Sequence, residues 1–133
     1  MKTTLSLIIL VLILSCSVNA IVKPEIYKNV SIKFYNDDIN KTLCYKQFDR
    51  IKDEYWVGMR AILINDWCIN NTCSFMGYYY FGGVIKLNDG CEDIDILAHE
   101  LGHNMQYVNG EGNEIASHSG NFWRYWDKIY GDT

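Results

Sequence analysis

The sequence predicts a small α+β domain: a short sheet, mostly antiparallel or mixed, packed on one long helix with two further helices beside it. Three observations predict it. The length of 133 residues suits one domain. Short β-prone segments, bounded by turn residues, are spread through the middle of the chain. Between and after them, apolar residues recur at helical spacing.

The first twenty residues, "MKTTLSLIILVLILSCSVNA", stand apart. Lys2 precedes an apolar run from Leu5 to Leu14, and Val18 and Ala20 flank Asn19, the layout of a secretory signal peptide cleaved after Ala20. The run is too short to cross about 30 Å of hydrocarbon as a helix. A lipoprotein signal, with Cys16 lipidated, fits "ILSC" only loosely. The mature domain is thus expected at 21–133, long enough to bury roughly two-thirds of its unfolded surface.

"VSIKFY" (Val30 to Tyr35) alternates and reads as a strand. "NDD" follows as turn and cap, with Asp38 the expected N-cap. From Ile39 to about Met59, Leu43, Phe48, Ile51, Tyr55 and Trp56 recur near helical spacing and predict a first helix ending near Gly58. "AILIN" (Ala61 to Asn65) is a short buried strand. Met76 to Phe81 and Val84 to Leu87 are two more, with Gly82-Gly83 as the turn or bulge between them. In "CEDIDILAHELGHNMQYV" the residues Ile94, Leu97, Ala98, Leu101, Met105 and Val108 make one apolar stripe, so this stretch is helical until "NGEG" stops it. A last helix covers about Gly120 to Tyr130, with Phe122, Trp126 and Ile129 on one face.

The formal net charge of −4 becomes −5 when Lys2 leaves with the signal, and the chain has no basic run. That argues against nucleic acid or an anionic membrane surface as partner. Four cysteines remain beyond the signal, Cys44, Cys68, Cys73 and Cys91, an even number that reads as two disulfides in an oxidising compartment. Cys68 and Cys73 flank the turn-like "INNT", which favours a small loop there and leaves Cys44 for Cys91. A cysteine zinc site is disfavoured because no C-x-x-C pair exists. N-x-S/T sequons at Asn29, Asn40 and Asn70 fit a secreted glycoprotein. Ile21 to Asn29 is the only stretch placed to serve as a pro-segment.

All three histidines lie in "HELGHNMQYVNGEGNEIASHSGNFW". His99 and His103, four apart on the long helix, share one face about 6 Å apart along the axis and can both reach one metal ion. Glu100 points roughly 100° around the helix, beside such an ion rather than on it, where its carboxylate can hold a water. A catalytic zinc needs three protein ligands and one open position. The turn "NGEGNE" can bring His118 back as the third ligand; Glu114 and Glu111 are its rivals. A pair of surface histidines on an ordinary helix is the bland reading.

"HELGH", fourteen residues, then "HSGNFWRYW" resembles the SprT-like zinc metallopeptidases, which pair HExxH with a downstream histidine, small residues and an aromatic. "GGVIKLND" ahead of the helix is similar to that family's strand, and the likeness covers about Ile39 to Tyr130. Ser119 stands where the family usually has glycine. The resemblance implies a zincin-like fold, one catalytic Zn2+ on His99, His103 and His118, and Glu100 as general base in peptide-bond hydrolysis. It is not extended to DNA–protein crosslink repair, because a signal peptide and four cysteines set the chain apart from nuclear and cytosolic members. A metzincin needs glycine at position 106 and histidine at position 109, where this chain has Gln106 and Asn109.

The expected partner is a peptide or protein substrate, met outside the cell by a monomer without stable membrane association. Tyr107 and Tyr125 are candidate second donors to the oxyanion. "VIKLN", were it a sheet edge beside the cleft, could pair with an extended substrate. Most aromatics, among them "YYYF" and Trp123/Trp126, read as core, with a carbohydrate or peptide platform as the second reading. The competing class is an inactive, zinc-holding recognition module; retention of Glu100 speaks against it.

Overall fold

The computed structural model describes residues 23–68, 73, 75–111 and 117–133. The signal-peptide reading, Cys16, the "INNT" turn, the Asn70 sequon and Glu114 lie outside them. Among the described residues the fold is a small α+β domain: a five-stranded mixed sheet with three α-helices. The strands are β1 (Glu25–Tyr27), β2 (Val30–Phe34), β3 (Ala61–Ile64), β4 (Gly77–Tyr80) and β5 (Val84–Leu87). The helices are α1 (Lys41–Asp49), α2 (Ile94–Val108) and α3 (Phe122–Gly131). The strand order is β1-β2-β3-β5-β4. The inner trio β2, β3 and β5 is parallel, and each edge strand runs antiparallel to its neighbour.

Period-two burial explains the register. Ile32 pairs with Ile62 and Ile62 with Ile85, while Ile64 pairs with Leu87. All five are buried on one face, so a one-residue slip would expose the whole row. Leu97, Ala98 and Leu101 of α2 complete the core, with Met105 half-buried; Val108 at the stripe's end is exposed. Among the described residues, no helix is long and apolar enough to cross a membrane.

Four sequence expectations change here. The single helix over Ile39 to Met59 is two: α1 stops at Arg50, Lys52 is extended, and a 3-10 turn covers Asp53–Trp56. Phe48, Ile51, Tyr55 and Trp56 still meet in one core, so the apolar spacing survives the break. The N-cap is Asn40, whose Oδ1 accepts the Leu43 amide at 3.0 Å, and not Asp38. A strand that the sequence does not announce, β1, precedes β2, paired through Ile26 with Ser31 and joined to β2 by Lys28 and Asn29 at φ 47° and 65°. Finally, β5 is not an edge: β4 pairs along its other side through the turn at Gly82 and Gly83, at φ 92° and 84°, which leaves β4 as the edge among the described residues.

The disulfides are Cys44–Cys91, which ties α1 to the approach of α2, and Cys68–Cys73, which closes the loop before β4. Both suit an oxidising environment.

Candidate metal centre

The start of α2 is fixed by acidic side chains that accept one of its otherwise orphaned amides and two amides of the approach to it. Asp93 caps the helix through the Asp95 amide at 2.9 Å. Asp89, two residues past β5 and 1 % exposed, accepts the Cys91 and Asp93 amides at 3.1 and 3.0 Å. Burial raises its carboxyl above the usual range, while these amides pull it back. The sheet thereby dictates where α2 begins and which way each later residue points.

His99 and His103 lie one turn apart on that helix, ring centroids 5.3 Å apart. His118 arrives from the segment before α3, 4.8 Å from the His99 ring and 5.1 Å from the His103 ring. One ligand nitrogen from each lies within 4.8 Å of the others, and Nε2 of His99 stands 3.0 Å from Nε2 of His118. Tetrahedral coordination with bonds of about 2.0–2.1 Å separates ligand nitrogens by about 3.3 Å. The donor set therefore fits a single metal ion. Burial, then the neighbouring His103 and His118, lowers the His99 pKa to about 4, so it offers a lone pair at neutral pH.

Phe122 backs the cluster. It is fully buried, stacks on His103 at 4.3 Å, and lies 4.9 Å from both His99 and His118. Trp126 adds a wall 4.9 Å from His99 and is held by its Nε1 donating to Asp95 at 2.7 Å. The apolar face of α3 predicted from sequence thus serves the centre as well as the core.

Glu100 is 6 % exposed, and burial pushes its carboxyl up to about 8. It opens onto the histidines' cleft, about 270 Å³, which Phe75, Gly77, Tyr78 and Tyr79 also line. Gly77 makes the room: a Cβ there would lie 2.8 Å from Oε1 of Glu100 and from Cγ2 of Ile96.

Sequence reasoning missed Gln106. It is fully buried one turn after His103, and its Oε1 lies 2.9 Å from Nδ1 of that ring. An amide oxygen only accepts, so His103 carries its proton on Nδ1 and turns the Nε2 lone pair toward the cluster. The Gln106 Nε2 points to the carbonyls of Ser117 and Ser119, at 3.4 and 3.5 Å, on either side of His118. One side chain thus spans both halves of the centre. A polar residue at i+3 from a ligand histidine was the only available signal.

The other candidates fall elsewhere. Glu111 accepts from Asn121 at 2.8 Å and Tyr125 at 2.7 Å and is outside the histidine group. Tyr125 is thereby committed, and Tyr107 packs on Phe81 at 4.9 Å; neither lines the cleft. Tyr78 and Tyr79 do, and the Tyr79 hydroxyl is spent between the Gly83 amide and Asn104.

Comparison of the chain with protein-family profiles, with curated proteins and with solved structures gave no match.

Proposed function

We propose that the protein is a secreted zinc-dependent metallopeptidase, akin to the SprT-like enzymes, that hydrolyses peptide bonds. The observation that carries this reading is the convergence of His99, His103 and His118 within 4.8 Å, beside the buried carboxyl of Glu100 on one cleft. Three imidazoles that leave a fourth position open suit zinc in a catalytic setting. Bound there, zinc supplies a Lewis acid that polarises a scissile carbonyl and acidifies water. Glu100 takes the proton of the attacking water and returns it to the leaving amine. Burial raises the proton affinity of this carboxyl, and the positive charge of a bound ion beside it would draw it back toward the ionised form that a base needs. The outer edge of β4, rather than β5, offers its backbone to an extended substrate. Secretion accords with the two disulfides.

The test is metal analysis and casein digestion by the purified mature chain. One zinc per chain is expected, with loss of zinc in His118→Ala. Glu100→Gln should keep the zinc and lose at least about a hundredfold in rate, as removal of a general base does. Equal digestion by Glu100→Gln refutes the peptidase reading. Zinc binding without any digestion leaves the recognition module in its place.

A further inference from the structure

An aromatic row leads out of the cleft. Tyr78 and Tyr80 are 48 % and 43 % exposed, on the face of β4 opposite buried Tyr79. Their ring centroids are 4.7 Å apart, and Phe75, 63 % exposed, meets Tyr78 edge-on at 6.5 Å. The backbone that carries Phe75 is anchored. The Phe75 carbonyl accepts from the Asn88 side chain at 3.0 Å, and the Cys68–Cys73 disulfide closes the loop just ahead of it. Phe75 and Tyr78 line the cleft together with the three histidines and Glu100, so the row and the candidate centre are continuous.

β4 pairs on one side only among the described residues, through Tyr78 with Lys86 and Tyr80 with Val84. A chain added along its outer edge places every second side chain on the Tyr78/Tyr80 face. There those side chains become cross-strand neighbours of the two rings, where aromatic and β-branched partners are favoured. The intervening side chains turn toward the α2 face, which holds Glu100. Resting on the peptidase reading above, we infer that this protein selects extended polypeptide with bulky apolar side chains at alternate positions flanking the cleaved bond, read by Phe75, Tyr78 and Tyr80. The occupant is polypeptide because the row lies along a strand edge that is unpaired among the described residues and ends at the histidine cleft.

Two fluorescent decapeptides of equal composition test this, one with Phe and Val at alternate positions, the other with them in one block. Binding is measured by anisotropy on zinc-loaded Glu100→Gln, and cleavage on the wild type. The alternating peptide should bind roughly five- to tenfold more tightly, the effect of two to three cross-strand contacts. In Tyr78→Ser/Tyr80→Ser with zinc content retained, the preference should vanish, as a rise in KM rather than a fall in kcat. Equal binding of both peptides to Glu100→Gln overturns the inference, and that measurement needs no row variant to fold. Cleavage of both at equal KM overturns it while leaving the peptidase reading intact. Tighter binding of the alternating peptide without wild-type cleavage supports the row and refutes the peptidase. A wild-type dimer that becomes a monomer in the double variant, with peptide preference unchanged, overturns it in favour of self-association.

Discussion

At the scale of single residues, Gln106 and Gly77 act on the centre without being ligands. Gln106 fixes the His103 tautomer and reaches the backbone around His118. Gln106→Ala is expected to weaken zinc binding about 10- to 100-fold, the usual cost of losing such a partner, read by competition with a chromophoric chelator. Gln106→Glu keeps the acceptor for Nδ1 and should lose less. Gly77→Ala forces Glu100 to shift, because the added carbon would stand 2.8 Å from its Oε1. A displacement on the scale of 1 Å should slow casein hydrolysis on the order of a hundredfold with bound zinc unchanged. His99, Glu100 and His103 were legible because the apolar stripe from Ile94 to Val108 marks a helix, and a helix puts positions four apart on one face. Gln106 and Gly77 were not. Their roles depend on how the His118 segment and β4 return against α2, and no local spacing encodes that.

At the scale of elements, alternation in β2 and short β-prone runs bounded by turn residues in β3, β4 and β5 marked these strands to within two residues at either end. They missed β1, whose three residues are too few to show a period and whose Ile26 points into solvent. The first helix was over-extended for a related reason. Apolar residues three and four apart stay in phase across the extended Lys52, because α1 and the 3-10 turn wrap the same core. α3 read well, since its phase needs only its own sequence, yet its service to the centre did not. Phe122→Ala should cost about 3–5 kcal/mol by urea unfolding, as for other fully buried phenylalanines. It should also weaken zinc binding, because Phe122 contacts all three imidazoles.

At the scale of the molecule, crosslinks and metal act on the folded state by different routes. The Cys44–Cys91 link spans 47 residues of sequence and Cys68–Cys73 spans 5. In the chain-entropy account their loss costs about 4 and about 2 kcal/mol, so Cys44→Ser/Cys91→Ser should be the weaker variant in urea. A metal that binds only the native fold adds stability by mass action. A chelator should therefore lower Tm, and added zinc should restore it. The pairing of the cysteines was legible from the small loop alone; the mixed sheet order was not, because parallel pairing is decided by crossovers between distant strands.

The strand order also separates two kinds of traffic. Asn29 sits in the turn between β1 and β2, at the far side of the sheet from β4. Four interstrand spacings, about 19 Å, lie between those borders. A hydrated sugar antenna on Asn29 would shelter one flank from other proteins and leave the opposite flank unobstructed for an incoming chain.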